Sequence, residues 1–215
     1  MPPTKLFLVR HGETDDNKNR VFQGQDGRGL NARGREQAAL LAARLAGGRR
    51  RPGALYASDL DRARETAEIL GRAIGLTPRL DPELREVFVG AWQGLSHDEV
   101  AARFPEEWEA WRRGVDLQRG GGESYAELGD RLEQAVALIA AAHAGGTAAV
   151  VSHGAAIKVF VGRVLGLGAA GLRALRVPAN TGVTVVERDE DGRFRLVVWN
   201  DVAHLHDAVL EAIDA

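Results

Sequence analysis

Two mostly apolar segments, each ending in a histidine and a glycine, constrain this chain most. They cover residues 5–12 and 148–154, and their histidines are His11 and His153. Short apolar runs rich in Val and Leu are typical of buried strands. In open α/β sheets, ligands bind beyond the carboxyl ends of the strands. We therefore expect both histidines, together with Arg10, to meet at one edge of a sheet.

The residues that follow these runs suit phosphoryl transfer through a histidine. A neutral imidazole is a competent nucleophile near pH 7, because its ordinary pKa is about 6.5. The transferred phosphoryl group carries negative charge on its equatorial oxygens, which need fixed positive donors. The planar guanidinium of Arg10, beside His11, can bind two of those oxygens. The alternative is that each histidine is only a polar residue at a loop entrance, and the repeated pattern weakens that interpretation.

Length and composition exclude several classes of function. A chain of 215 residues with 45% hydrophobic content predicts a single domain over residues 1–215. The net charge of −2 provides no basic excess for nucleic acid, and the absence of cysteine excludes disulfides, cysteine-ligated zinc and a cysteine nucleophile. No signal-peptide or membrane-span pattern is present. We expect a cytoplasmic protein that does not associate with membranes.

The motif LVRHGET at residues 8–14, with Asn17 and residues 22–24 after it, resembles the signature of the histidine phosphatase superfamily, the phosphoglycerate-mutase-like proteins. Further matches run along most of the chain. The resemblance implies that His11 is the nucleophile and that no metal or organic cofactor is required. It also implies a phosphate pocket formed by Arg10, Asn17, Gln23, Gly24, Arg62, His153 and Gly154. For Arg62 the alternative is an exposed helix arginine paired with Asp59 or Glu65.

Residues 84–94 resemble the family pattern around its general acid, which places that acid at Glu86. The leaving oxygen of a phosphomonoester needs a proton, and a desolvated carboxyl can hold one near neutral pH. We expect Val87, Phe88 and Trp92 to form the apolar wall that desolvates Glu86.

The order of elements predicts an α/β fold, a three-layer α/β/α sandwich around a mainly parallel sheet with one reversed edge strand. We expect a helix to begin at Gly12 and run to Arg20, and another to be capped by Ser58 or Asp59. The stretch 88–125 contains three of the four tryptophans and reads as a mostly helical insertion that selects the substrate.

The predicted reaction is hydrolysis of a small phosphomonoester through a phosphohistidine on His11, with Glu86 as general acid and then base. One alternative is a cofactor-dependent phosphoglycerate mutase, which the paired Arg112 and Arg113 favour because two arginines can grip a carboxylate. The stretch between Glu86 and His153 is shorter than in the cofactor-dependent mutases that this chain resembles, which carry a longer insertion there, and this favours a phosphatase. A phospho-ligand binder without catalysis is a further alternative, and a homodimer is possible.

Overall fold

Residues 2–48 and 51–205 are described in this computed structural model. Six strands form one sheet: β1 Thr4–Arg10, β2 Ala54–Ala57, β3 Arg79–Leu80, β4 Thr147–Ser152, β5 Val183–Arg188 and β6 Phe194–Asp201. Their order across the sheet is β3-β2-β4-β1-β5-β6. The first four of these run parallel to one another, and β5 is antiparallel to β1. The expectation of a mainly parallel sheet is therefore confirmed.

The reversed strand lies inside the sheet, so its predicted place at the edge is wrong. β5 and β6 form a hairpin, in which the amide of Asp189 donates to the carbonyl of Arg193 at 3.0 Å. A tight hairpin places consecutive strands side by side. Because β5 already pairs with β1, β6 takes the outer position.

Seven α-helices of the described residues accompany the sheet: α1 Asp15–Lys18, α2 Ala32–Gly47, α3 Asp61–Ile74, α4 His97–Arg103, α5 Pro105–Arg112, α6 Tyr125–Ala142 and α7 Gly154–Val164. Alternate residues of a strand face opposite sides of a sheet, so β1 contributes to two cores. Val9 packs with Leu41 of α2 and Leu70 of α3, whereas Leu8 packs with Leu132 of α6 and with residues of α7. The α/β/α sandwich is confirmed.

The register of the parallel strands brings the two histidines together. Arg10 pairs with Ser152 at the carboxyl ends of β1 and β4. The next residues along these strands are His11 and His153, and the amide of His11 donates to the carbonyl of Ser152 at 3.0 Å. The adjacent β2 ends at the same level, since the amide of Ser58 donates to Val151 at 3.0 Å.

The helix predicted from Gly12 is shorter than expected and begins later. Residues 11–14 are not helical, and the amide of Gly12 donates to the hydroxyl of Thr66 at 3.0 Å. α1 begins only at Asp15, where Thr14 and Asn17 form a capping box. The anion-binding helix end expected directly after His11 is therefore absent from the described chain.

The cap predicted for α3 is also wrong. This helix begins after Leu60, which makes no side-chain cap hydrogen bond. Ser58 instead contacts His153, and Asp59 forms an ion pair with Arg85. Both candidate caps are used to hold neighbouring segments in place.

Residues 88–125 contain α4, α5 and short 3₁₀ turns joined by irregular segments, so this stretch is mostly helical, as expected. Trp92 is fully buried and packs at ring-centroid distances of 6.3 Å from Trp108 and 6.1 Å from Trp111. Aromatic pairs at this spacing stabilise a small core. Across the described residues, no helix has both the length and the apolar character needed to span a membrane.

Candidate active site

A cavity of about 270 Å³ lies beyond the carboxyl ends of β1, β2 and β4. It is lined by eight of the predicted site residues: Arg10, His11, Asn17, Gln23, Gly24, Arg62, Glu86 and Gly154. The ninth, His153, is fully buried next to the cavity, with its ring centroid 5.2 Å from that of His11. The structure thus brings all the residues of the predicted site together.

His11 is held as a neutral ring in one tautomer. Its Nδ1 lies 2.7 Å from the carbonyl oxygen of Gly12, which can only accept a hydrogen bond, so Nδ1 carries the proton. Burial, followed by the charges of Arg62 and Arg10, lowers the pKa of His11 well below its usual 6.5. The remaining nitrogen, Nε2, therefore keeps its lone pair for nucleophilic attack near pH 7.

His153 is paired with a serine that sequence analysis assigned to a different role. Its Nε2 lies 2.8 Å from the hydroxyl of the fully buried Ser58. Burial, then the charges of Arg62, His11 and Arg10, lowers the pKa of His153 well below 6.5. The lowered pKa favours the neutral ring at pH 7 in the unliganded protein. Its Nδ1 has no hydrogen-bond partner within the described chain.

Arg10 is anchored at one end of its guanidinium and free at the other. Nη1 donates to the carbonyl of Pro178 at 2.7 Å, whereas the buried Nε has no partner among the described residues. Burial lowers the pKa of Arg10, and the nearby carboxylates of Glu86 and Glu13 oppose that shift. The guanidinium of Arg10 is thus held in place beside His11 and still has an N–H donor available for an anion.

Arg62 is a buried arginine of the site, and the alternative of a surface ion pair is wrong. It is 2% exposed and donates to the carbonyls of Asp26 at 2.7 Å and Gly24 at 2.6 Å. Burial lowers its pKa to about 10, against the raising effect of Glu86, so Arg62 remains a cation at neutral pH. Gly24 has a φ of +56°, and a Cβ there would lie 2.5 Å from the side-chain oxygen of Gln93. Glycine is required at this close turn.

Two amide side chains complete the polar lining. The oxygen of Gln23 accepts from the hydroxyl of Thr14 at 3.1 Å. The oxygen of Asn17 accepts from Asn180 Nδ2 at 3.1 Å, and the same Nδ2 is 3.0 Å from the carbonyl of His11. Since each amide oxygen is occupied, the NH₂ groups of Gln23 and Asn17 remain as donors for an anion. Sequence analysis missed Asn180 as a site residue, because it comes from a loop 163 positions after Asn17.

Glu86 lies in a different environment from the expected apolar wall. Its carboxylate accepts hydrogen bonds from the amides of Ala155 and Ala156 at the start of α7, each at 3.0 Å. Of the predicted wall, Val87 is buried and lines the cavity with Glu86, whereas Trp92 lies in the core outside the lining and Phe88 is 40% exposed. Backbone amides, instead of apolar side chains, orient Glu86 at the cavity.

The outer part of the cavity is formed by side chains of the 88–125 stretch and its neighbours: Val21, Phe22, Val89, His97, Trp111, Arg119 and Tyr125. Arg112 and Arg113 are exposed and do not line the cavity, and Arg112 is paired with Glu109 at 3.1 Å. Of the three arginines in this stretch expected to select the substrate, Arg119 lines the cavity, whereas Arg112 and Arg113, which favoured a mutase, do not. Nothing in its local sequence distinguishes Arg119 from its neighbours.

His204 and His206 have the spacing of metal ligands, but two histidines alone do not make a metal site, and His204 contacts a hydroxyl. Its Nε2 lies 2.9 Å from the hydroxyl of Thr181, and burial lowers its pKa to about 4. His206 lies outside the described residues. In residues 2–48 and 51–205, no group of three or more His, Cys, Asp or Glu side chains is arranged to hold a metal ion.

The chain is similar in sequence to known phosphatases. Residues 6–202 match the family model of the histidine phosphatase superfamily, branch 1. A metal-independent phosphoserine phosphatase of Arabidopsis thaliana is 38% identical, over 94% of this chain and 83% of the relative. A glucosyl-3-phosphoglycerate phosphatase of Mycobacterium tuberculosis is 35% identical, over 98% of this chain and 100% of its own.

A solved structure shares both the sequence pattern and the fold. The mycobacterial glucosyl-3-phosphoglycerate phosphatase in complex with VO3 superimposes with a TM-score of 0.83 and 36% identity, over 91% of this chain and 98% of its own. Together with the match over residues 6–202, this likeness shows that the chain belongs to branch 1 of the histidine phosphatase superfamily.

Proposed function

We propose that this histidine phosphatase hydrolyses a small phosphomonoester through a covalent intermediate on Nε2 of His11. In the first step, Nε2 attacks phosphorus while the bond from phosphorus to the ester oxygen breaks. The leaving oxygen takes a proton from Glu86. The carbonyl of Gly12, at 2.7 Å from Nδ1, faces the N–H whose positive charge increases as the phosphohistidine forms.

The second step returns the site to its starting state. A water molecule attacks phosphorus, the bond to Nε2 breaks, and the water proton goes to Glu86. Inorganic phosphate leaves and His11 is again neutral. Through both steps Arg10 and Arg62, with donors from Asn17, Gln23 and His153, would hold the phosphoryl oxygens.

The observation that carries this proposal is the tautomer and charge of His11. A buried imidazole with a depressed pKa, its Nδ1 bonded to a carbonyl and two arginines nearby, is prepared for attack on a phosphoryl group. Unpartnered donors at Arg10 Nε, Arg62 Nε and His153 Nδ1 also favour binding of an anion here, since buried polar atoms are normally satisfied.

The same observations bear on the alternatives. The mutase interpretation depended partly on Arg112 and Arg113, and both lie outside the cavity. A binder without catalysis would not need a nucleophilic ring and an oriented carboxylate at one cavity. Cytoplasmic location and a homodimer stay predictions.

Phosphorus NMR of the purified protein with a panel of phosphomonoesters tests the proposal. The panel contains p-nitrophenyl phosphate, phosphoserine and 3-phosphoglycerate, with the variant His11→Ala as the control. We expect inorganic phosphate to appear with the protein and not with the variant. Conversion of 3-phosphoglycerate to its 2-phospho isomer, with little free phosphate, would support the mutase instead. Line broadening without turnover of any compound would support the binder.

A further inference from the structure

Arg119 is a buried cation without an acidic partner. It is 3% exposed, and no ion pair to it occurs among the described residues. Arg131, by comparison, is paired with Glu123 at 2.8 Å. Burying an unpaired charge is costly, so residues of this kind are normally paired or kept to bind an anion.

The guanidinium of Arg119 is held in a fixed position with one nitrogen free. It lies 4.3 Å from the ring centroid of Tyr125, and its Nη1 is 3.3 Å from the tyrosine hydroxyl. The backbone that follows Arg119 is held in place, since the amide of Gly120 donates to Glu107 at 2.8 Å and the amide of Tyr125 donates to Asp116 at 2.7 Å. The buried Nη2 has no partner in the described chain.

Arg119 contributes to the same cavity as the phosphate-binding groups but from a different part of the chain. Arg10 is the last residue of β1 and Arg62 lies in the first turn of α3, after β2, whereas Arg119 comes from the 88–125 stretch. The lining that it shares with Phe22 and Trp111 is largely aromatic. The neighbouring His97 does not add a charge, because burial lowers its pKa below 6.5.

We propose that Arg119 binds a carboxylate of the substrate, which makes the substrate a phosphorylated carboxylic acid. This inference rests on the proposed phosphatase function. A single guanidinium matches the single charge and planar shape of a carboxylate. A second phosphoryl group carries more charge than a carboxylate and needs more donors than one guanidinium provides. The predicted phosphoryl site in this cavity is surrounded by two arginines and additional amide donors, whereas Arg119 is a single cation.

Matched pairs of substrates test the inference. 3-Phosphoglycerate and glycerol 3-phosphate differ only by a carboxylate in place of a hydroxymethyl group, and phosphoserine differs from phosphoethanolamine only by its carboxylate. We expect kcat/KM to favour at least one acid by about 10- to 100-fold, the range of a hydrogen bond to a charged group. p-Nitrophenyl phosphate, which has no carboxylate, reports on the phosphate site alone.

The variant Arg119→Met removes the cation and keeps an unbranched apolar stem. In this variant, the kcat/KM for the acid divided by that for the matched compound without a carboxylate is expected to fall to within about 3-fold of one. Arg119→Lys keeps the charge without the planar fork and should retain part of the preference for the acid. It tests the role of Arg119 even if Arg119→Met does not fold. Arg112→Met, an exposed arginine of the same stretch, should leave the ratio unchanged.

The outcomes separate the two proposals. Turnover of p-nitrophenyl phosphate without preference for the acid in either pair would overturn the carboxylate inference and leave the phosphatase intact. A preference that persists in Arg119→Met would also overturn it. If no compound is turned over, including p-nitrophenyl phosphate, both the proposed function and this inference fail.

Discussion

The carbonyl oxygen of Gly12 lies 2.7 Å from Nδ1 of His11 and determines which ring nitrogen is the nucleophile. Because a carbonyl cannot donate, the neutral ring carries its proton on Nδ1. The chain supplies this acceptor from the residue next to the histidine. Local backbone geometry thus performs a task that in many enzymes is given to a side-chain carboxylate.

The burial of His11 leads to a prediction about pH. Burial and the charges of Arg62 and Arg10 lower the pKa of His11 against the opposing effect of the Gly12 carbonyl, so the free ring becomes protonated only below pH 6.5. The acid limb of kcat/KM that belongs to His11 should therefore lie below pH 6.5. Nitrogen NMR of the imidazole ring should show the Nδ1–H tautomer at pH 7. Titration of His11 at or above 6.5, or the opposite tautomer, would contradict the assignment.

Ser58 is predicted to position His153. In Ser58→Ala the buried Nε2 of His153 loses its partner, which costs about 1–3 kcal/mol of the free energy of unfolding and releases the ring. We expect kcat/KM to fall about 10-fold, within the range of that free energy. Thr4→Ala is the matched control, since the buried Thr4 accepts a hydrogen bond from the amide of Gly145 at 3.1 Å and begins β1, at the end of the sheet opposite the cavity. It should lower the free energy of unfolding by about 1–3 kcal/mol and leave kcat/KM unchanged. Full activity of Ser58→Ala would refute this role.

Glu86 is predicted to matter most for substrates with poor leaving groups. General acid catalysis contributes about 10²- to 10⁴-fold when the leaving oxygen needs a proton. Glu86→Gln should therefore reduce turnover of an alkyl phosphate by that amount and of p-nitrophenyl phosphate much less. Equal losses for both substrates would show that Glu86 only supports the structure around α7.

Arg131 is predicted to position Glu86 through the backbone. Its guanidinium donates to the carbonyls of Glu83 at 2.6 Å and Arg85 at 3.1 Å, and it is paired with Glu123. In Arg131→Met the segment before Glu86 loses these donors, so turnover of an alkyl phosphate should fall about 10-fold, with a smaller loss for p-nitrophenyl phosphate.

The control for Arg131→Met is Arg64→Met, because Arg64 is an exposed arginine in an ion pair along α3. It should behave as wild type with both substrates. If Arg131→Met loses activity equally on both, the effect is a general loss of structure and the positioning role is wrong.

Gly154 is predicted to leave space for the guanidinium of Arg10. A Cβ at this position would lie 2.6 Å from Val177 and 3.2 Å from Nε of Arg10. Gly154→Ala should therefore displace the fork of Arg10 and weaken inhibition by vanadate or inorganic phosphate about 10-fold. Gly168→Ala, where a Cβ meets no atom within 4 Å, is the control. Unchanged inhibition in Gly154→Ala would show that Arg10 does not depend on this space.

Several features of the site could be predicted from short segments. The two strands that lead into the histidines and the arginine beside His11 each depend on residues that are close in the chain. Because parallel strands end at a common edge, local pattern was enough to bring His11 and His153 together. The family resemblance added Arg62 and Glu86, which spacing alone did not select.

Other features depended on contacts between distant segments. The hydroxyl of Ser58 was expected to cap a helix, and only the packing of β2 beside β4 showed that it is used by a histidine 95 positions away. The surroundings of Glu86 were predicted to be apolar, and the start of α7 provided amides instead.

The sequence by itself determined the layered α/β fold and the placement of a histidine and an arginine at a sheet edge, because apolar periodicity and strand ends are local properties. Only the tertiary structure decided which nitrogen of His11 is free, which serine pairs with His153, and which arginine of the 88–125 stretch enters the cavity. Hydrogen-bond partners, burial and the resulting pKa values arise from groups that folding brings together from distant parts of the chain.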